Sequence, residues 1–213
     1  MAILRVNPTR MELTLMKRRL VTAKRGHKLL KDKRDELVRR FIVLVKENAV
    51  IRKQVEQELG AALKDFALAR AVMEPGALRQ ALLYPAREVA ITMGRRSILS
   101  VCVPVFAMDE ESVSKTVLPY GLAETSAQLD GAIETMAKVL PLLIQLAEIE
   151  KTTGLLADEI QKTRRRVNAL EYVMIPQFEE TIRYITMKLE ENERGALIRL
   201  MKVKEMLEER TAN

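Results

Sequence analysis

Apolar residues recur at alternating steps of three and four toward both ends of this chain, and that repeat restricts the fold more than any other feature. On the N-terminal side it runs Leu13, Met16, Leu20, Ala23, His27, Leu30, Arg34, Leu37, Phe41, Leu44, Asn48, Ile51 and Val55, ten of these thirteen apolar. After one skip it continues as Leu59, Ala62, Phe66, Ala69 and Met73. On the C-terminal side it runs Leu156, Ile160, Thr163, Val167, Leu170 and Met174. Past Pro176 it resumes as Phe178, Ile182, Ile185, Leu189, Ala196, Leu200, Val203 and Leu207. Such spacing draws one narrow apolar stripe along a helix, nearly in heptad register. A helix with a stripe like that needs a second helix to cover it, and each end of the chain is the natural partner of the other.

Composition supports long helices with a thin core. Charged residues make up 31% and aromatics only 4% of the 213 residues, with no Trp and eleven Met to fill irregular gaps in a seam. No apolar run reaches the ~18 residues of a membrane span, and the opening MAILRVNPTR is too short and polar for a signal peptide. A single cysteine, Cys102, makes no disulfide framework or metal cluster and points to a reducing, cytoplasmic setting. The net charge of +7 is uneven: residues 1–40 hold 13 Lys/Arg and 4 Asp/Glu. That excess suits an acidic partner surface, nucleic acid or anionic lipid, and a solvated helix face accounts for it equally well.

Taken in order, Thr9 is placed to cap the first helix, with Glu12 completing a capping box. A helix over residues 10–73 would be about 95 Å long, until Glu74-Pro75-Gly76 ends or bends it. Ala77 to Leu83 reads as a short helix stopped at Pro85. Glu88–Met93 and Ser97–Val103 read as two strands around Gly94-Arg95-Arg96, a β-hairpin over about 88–103 that Pro104 stops. Residues 106–122, with the acidic Asp109-Glu110-Glu111, read as loop. Thr125 or Ser126 caps the second long helix, with seam residues Leu129, Ile133, Met136, Leu140, Leu143 and Ala147. Pro141 and Gly154 are expected to interrupt and bend it. Pro176, where steps of four replace the alternation, predicts a bent or loosened shaft.

The expected fold is therefore mainly α: a long antiparallel two-stranded coiled coil of the N- and C-terminal helices with a small central β-hairpin insertion. The divisions are 1–73, an N-terminal shaft helix; 74–124, the insertion; and 125–213, a C-terminal shaft helix. One register brings Asn48 level with Asn168, Lys24 opposite Glu193, and Lys28 near Glu190 and Glu191. A seam Asn pair would penalise slipped registers.

No active site emerges. Gly94 and Gly121 stand alone, without a phosphate-cradling loop. His27, beside Arg25 and Lys28 in a seam slot, reads as a packing or charge-pair residue, and Cys102 as a small buried apolar one. Lys162-Thr163-Arg164-Arg165-Arg166 fans basic groups around its helix, for acidic surfaces, phosphates or plain pairing with opposite Glu residues. Aromatics interleaved with basics, the platform of single-strand binders, are missing.

Three stretches carry a resemblance. Asn7-Pro8-Thr9-Arg10-Met11-Glu12-Leu13, Arg25-Gly26-His27-Lys28-Leu29-Leu30-Lys31-Asp32-Lys33, and Thr163-Arg164-Arg165-Arg166-Val167-Asn168-Ala169-Leu170-Glu171 with Ile175-Pro176 resemble the D subunit of the V-type/A-type (vacuolar-type) ATPases and ATP synthases. Leu189-Glu190-Glu191-Asn192-Glu193-Arg194 fits as well. The likeness spans both long helices, while residues 74–125 match mainly in having a hairpin.

The resemblance implies a central rotor shaft that carries torque between ATP synthesis or hydrolysis in a catalytic head and H⁺ or Na⁺ movement through a membrane ring. It implies no catalysis by the chain, no cofactor, metal or bound nucleotide, and no membrane insertion of its own. Implied partners are the A and B subunits of the head, the F subunit, and the d/C subunit at the base, not nucleic acid. The implied head contacts are Arg10, Lys17, Arg18, Arg19, Arg199 and Lys202. Those of the middle shaft and hairpin, toward the F subunit or the base, are Arg164, Arg165, Arg166, Val89, Ile91, Ile98 and Val101. The implied place is cytoplasmic, peripheral to the membrane. A basic cytosolic coiled-coil adaptor or nucleic-acid-binding rod is the alternative from charge alone.

Overall fold

A computed structural model describes residues 4–83, 89–108, 118, 120–121 and 125–212, with side chains through residue 208. The expectations that fall on Pro85, Glu88, Asp109-Glu110-Glu111 and Pro119 lie outside the described residues. The elements are helices α1 (Arg10–Val72) and α2 (Pro75–Ala81), strands β1 (Ile91–Ile98) and β2 (Val101–Met108), and helix α3 (Ala127–Ala169). A π-helical turn (Leu170–Met174) and helix α4 (Ile175–Ala212) complete the order. The class is the expected one, mainly α with long terminal helices and one antiparallel hairpin. Two compact units divide the chain: residues 1–35 with 161–213, and residues 36–160.

In the first unit, Thr9 caps α1 as expected, accepting from the Glu12 N–H at 3.2 Å. The capping box stays half-built, because the Thr9 N–H donates to the Asn7 carbonyl instead of to Glu12. Met16, Val167, Ile185 and two threonines, Thr163 and Thr181, are buried. Arg10 pairs with Glu193, Lys24 with Glu179 and His27 with Glu171, so the facing segments run antiparallel. This corrects the expected register: Lys24 meets Glu179, and Glu193 lies two heptads further along α4. Asn168, expected in the seam, is exposed.

The same register explains a second correction. Arg10, the first residue of α1, is already level with Glu193, so no part of α1 remains to cover the rest of α4. Ala196, Leu200, Val203 and Leu207, expected in the seam, are exposed. Met174 is also exposed, because it falls in the π-helical turn, where five residues occupy a widened loop of helix. That turn directly precedes Pro176. Proline cannot donate to the Tyr172 carbonyl, and the ladder adapts by letting the Ile175 N–H reach back to Leu170. The helix is loosened where the steps of four stand.

In the second unit, Leu37 of α1, Leu156 of α3 and Val101 and Val103 of β2 form one buried cluster, flanked by Phe41, Leu44, Ile98, Leu99 and Ile160. Ala69, Met73, Leu78, Ala81 and Leu129 form another, with Phe66, Tyr120 and Ile133 against it. α2 begins with Pro75 at its first position, where the missing N–H costs nothing. α3 begins at Ala127, with the Ser126 carbonyl receiving the Leu129 N–H while its hydroxyl is buried without a partner among the described residues. α3 then passes through Pro141 and Gly154 unbroken, contrary to expectation. Its buried face is Leu129, Ala132, Val139, Thr152 and Leu156; Met136, Leu143 and Ala147 of the expected stripe are exposed.

The hairpin differs most from the sequence reading. Its turn is Leu99-Ser100, not Gly94-Arg95-Arg96, and both turn residues have positive φ (49° and 72°). Two positive values match the twist of a tight two-residue hairpin. Gly94 sits mid-strand opposite Val105, and β2 runs through Pro104 to Met108. Antiparallel ladders alternate inward and outward N–H groups. The Phe106 N–H points outward, to Glu148 at 2.9 Å, so Pro104 two residues earlier also faces outward and removes no ladder bond.

Candidate functional site

The surfaces that can meet partners are the faces that the internal packing leaves over. On α4 beyond Glu193 every large apolar residue is exposed: Leu197, Ile198, Leu200, Met201, Val203, Met206 and Leu207. A helix apolar on several sides is built to be enclosed. Arg199 and Lys202 stand in this segment, Arg199 bonded to the Gly195 carbonyl and Lys202 to Glu205. Arg10 pairs with Glu193 at 2.6 Å but keeps 81% of its side chain exposed. Lys17, Arg18 and Arg19 are exposed, and Arg18 borders a cavity of about 790 Å³ with Asn7, Thr9, Met11 and Leu15. The expected head contacts thus gather on the first unit.

The remaining expected contacts divide. Arg164, Arg165 and Arg166 are exposed around buried Thr163 and Val167, so the basic run is open to solvent over most of the helix surface there. On the hairpin, Ile91 is exposed and Val89 and Ile98 half-buried. Val101 is buried against Leu37 and Leu156 and holds the hairpin down. Cys102, expected to be buried, is exposed, because strand alternation sends Val101 and Val103 inward and the residue between them out. His27 places Nε2 3.3 Å from Glu171 Oε2, the charge-pair geometry expected of it.

Sequence reasoning missed Tyr120, which donates to Asp130 at 2.7 Å and fastens the segment before α3 to that helix's first turn. Burial, then this hydrogen bond, push its hydroxyl pKa above the ordinary tyrosine value. The signal was a lone aromatic in a Pro/Gly-containing stretch, which has no period to reveal it. No helix among the described residues is long and apolar enough to cross a membrane.

Known proteins decide what these surfaces belong to. Residues 12–205 match the family model for the ATP synthase D subunit. The V-type ATP synthase D subunit of Clostridium novyi (strain NT) is 59% identical over 210 residues, 98% of this chain and 97% of that protein. The chain belongs to the ATP synthase D-subunit family. The V-type ATP synthase D subunit of Clostridium botulinum (strain Langeland / NCTC 10281 / Type F) is 57% identical over 212 residues, 99% of this chain and 98% of that one. That of Thermoanaerobacter sp. (strain X514) is 56% identical over 207 residues, 97% and 99%. As a member of this family, the chain is a non-catalytic stalk subunit of a V-type ATP synthase, and its functional surfaces are contacts with other subunits of that complex.

Proposed function

We propose that this stalk subunit is the rotating central shaft, carrying torque between ATP turnover in a head of A and B subunits and ion movement through a membrane ring. The observation that carries this reading is the apolar end of α4, with Leu197, Ile198, Leu200, Met201 and Val203 exposed past the start of α1. Such a segment calls for a sleeve, and the head cavity is one. Arg10, Lys17, Arg18, Arg19, Arg199 and Lys202 would face acidic groups of that sleeve. Arg164, Arg165 and Arg166 with Val89, Ile91, Ile98 and Val101 would face the F subunit or, at the base, the d/C subunit. The shaft comprises residues 1–73 and 125–213, the insertion residues 74–124, and the whole works on the cytoplasmic side, peripheral to the membrane. Each head interface favours an open or closed state according to the shaft face it meets, a population shift driven by differential contacts.

The test is reconstitution of the complex with the full chain and with a chain ending at residue 195. The shortened chain should keep its melting curve, because the buried residues among those described lie before the cut, and should lose coupling of ATP hydrolysis to ion transport. Full coupling with the shortened chain would refute the shaft reading. So would calorimetric binding of ATP to the isolated chain at micromolar affinity, about 8 kcal/mol.

A further inference from the structure

The hairpin has two unlike faces. Ile98, Val101 and Val103 pack toward the helices. On the opposite face Met93 pairs across the strands with Phe106, and Arg95 with Pro104. Between this outer face and α3 lies a hollow of about 460 Å³, lined chiefly by Met93, Arg95, Cys102, Pro104, Phe106 and Lys151. Its floor is apolar and its rim carries two cations.

Among the described residues those cations, Arg95 and Lys151, have no ion-pair partner, and Glu148 is committed to the Phe106 N–H. On the hairpin's other side Arg96 stands beside Arg39 and Arg40, which share the carboxylate of Glu36. Among the described residues, the hairpin region thus holds more guanidinium and ammonium groups than neighbouring acids satisfy. Nucleic acid would answer the charge but not the floor, where a single aromatic, Phe106, sits between Met93 and Pro104 and offers no succession of ring faces for stacked bases. A protein segment answers both.

We propose that this hollow receives an acidic segment of another subunit, an apolar side chain seated on Met93, Pro104 and Phe106 and adjacent carboxylates meeting Arg95 and Lys151. The inference rests on the stalk reading and gives its hairpin contact a chemistry. A guanidinium takes a carboxylate through two parallel hydrogen bonds, which fixes orientation as well as charge. The apolar anchor excludes water from that pair, where it is worth more than in the open.

Cys102 is the only cysteine of the chain, is exposed and lines the hollow, so its reactivity reports occupancy directly. In the assembled complex, alkylation of Cys102 by a small maleimide should be slowed by about tenfold or more relative to the isolated full chain. Arg95→Glu and Lys151→Glu should each restore most of the rate while the chain stays in the complex, and Arg95→Lys should keep the protection. Arg95→Gln, gentler to folding, should lose protection at an unchanged melting temperature. A benzophenone maleimide on Cys102 should capture a peptide of another subunit bearing neighbouring Asp/Glu and an apolar side chain. Equal reactivity in the free and assembled states, or protection that survives both charge reversals, overturns the proposal. Capture of a neutral or basic peptide, of this chain's own residues 109–111, or of nucleic acid overturns it as well. A chain that fails to co-purify with the complex at all overturns the stalk reading instead, so the two failures are told apart.

Discussion

Replacing Lys24 and Glu179 by cysteine, in a Cys102→Ala background, should give a chain that a short bismaleimide closes on itself within minutes. The two native side chains meet at 2.8 Å, so a linker about as long as both side chains together spans the gap. The competing pair is Lys24 and Glu193, which heptad phase and charge favour equally well from sequence. Glu193 stands two heptads beyond Glu179, which at ~1.5 Å per residue is about 21 Å along the helix axis. No short linker reaches that far without unwinding the pair. The assay is the mobility shift of the looped chain on denaturing electrophoresis, with peptide mapping of the linked residues. Dilution to nanomolar protein removes links between chains. A second double variant, at Arg10 and Glu193, should close as readily, since those groups meet at 2.6 Å. Closure of 24 with 193 at a rate equal to or above that of 24 with 179 would sink the register and, with it, the explanation of why α4 is bare past Glu193.

Leu37→Ala removes a fully buried side chain from the cluster that joins α1, α3 and β2 and should cost about 2–5 kcal/mol. In a thermal melt followed by circular dichroism that is roughly 2–4 °C per kcal/mol, whereas Leu200→Ala, at an exposed site, should move the curve hardly at all. Equal shifts would show that the cluster is misplaced. Thr163→Val keeps the shape of a side chain only 1% exposed and removes a hydroxyl with no partner among the described residues, so it should stabilise by about 1 kcal/mol in a urea melt; destabilisation would mean that the hydroxyl is satisfied. Tyr120→Phe breaks the bond to Asp130 and should cost about 1 kcal/mol, while adding a new protease-sensitive site near the start of α3; unchanged proteolysis would count against the fastening role. Excising residues 91–108 with a short Gly/Ser bridge should leave far-UV helix content nearly unchanged and alter turnover of the assembled complex; loss of the helices would refute a separable hairpin.

Which residues face inward along α1 was legible in the sequence. Leu13 through Met73 at steps of three and four are all buried or half-buried. A 3.6-residue helix with one partner has one dry side, and local spacing is enough to name it. The same held for the boundaries at Thr9, Pro75 and Pro176, where a cap, a fixed φ or a missing N–H acts within one turn. Register was not legible, because a heptad pattern slipped by seven or fourteen residues repeats itself. Exposed pairs such as Lys24 with Glu179 contribute about 0–1 kcal/mol and cannot choose among slips. The choice lies with clusters that join distant parts of the chain, Leu37 with Leu156 and Val101, and Ala69 with Leu129.

The hairpin turn is the clearest case of tertiary structure overruling local preference. Glycine chemistry favoured a turn at Gly94, yet Leu99 and Ser100 take the positive φ values at a cost of roughly 1–2 kcal/mol each. Only that turn sends Val101 and Val103 onto the helices while Leu99 itself packs beside Leu37 and Leu156. Fully burying a side chain of that size contributes roughly 1.5–3 kcal/mol, so buried Val101 and Val103, with half-buried Leu99 beside them, together offset the strain. Cys102 and Arg95 are turned outward by the same alternation, which is why the hollow between hairpin and α3 could not be read from the sequence. Local spacing determines the dry side of α1; on α3 and α4, and for which distant surface covers any of them, the outcome depends on contacts whose strength appears only when the chain has closed.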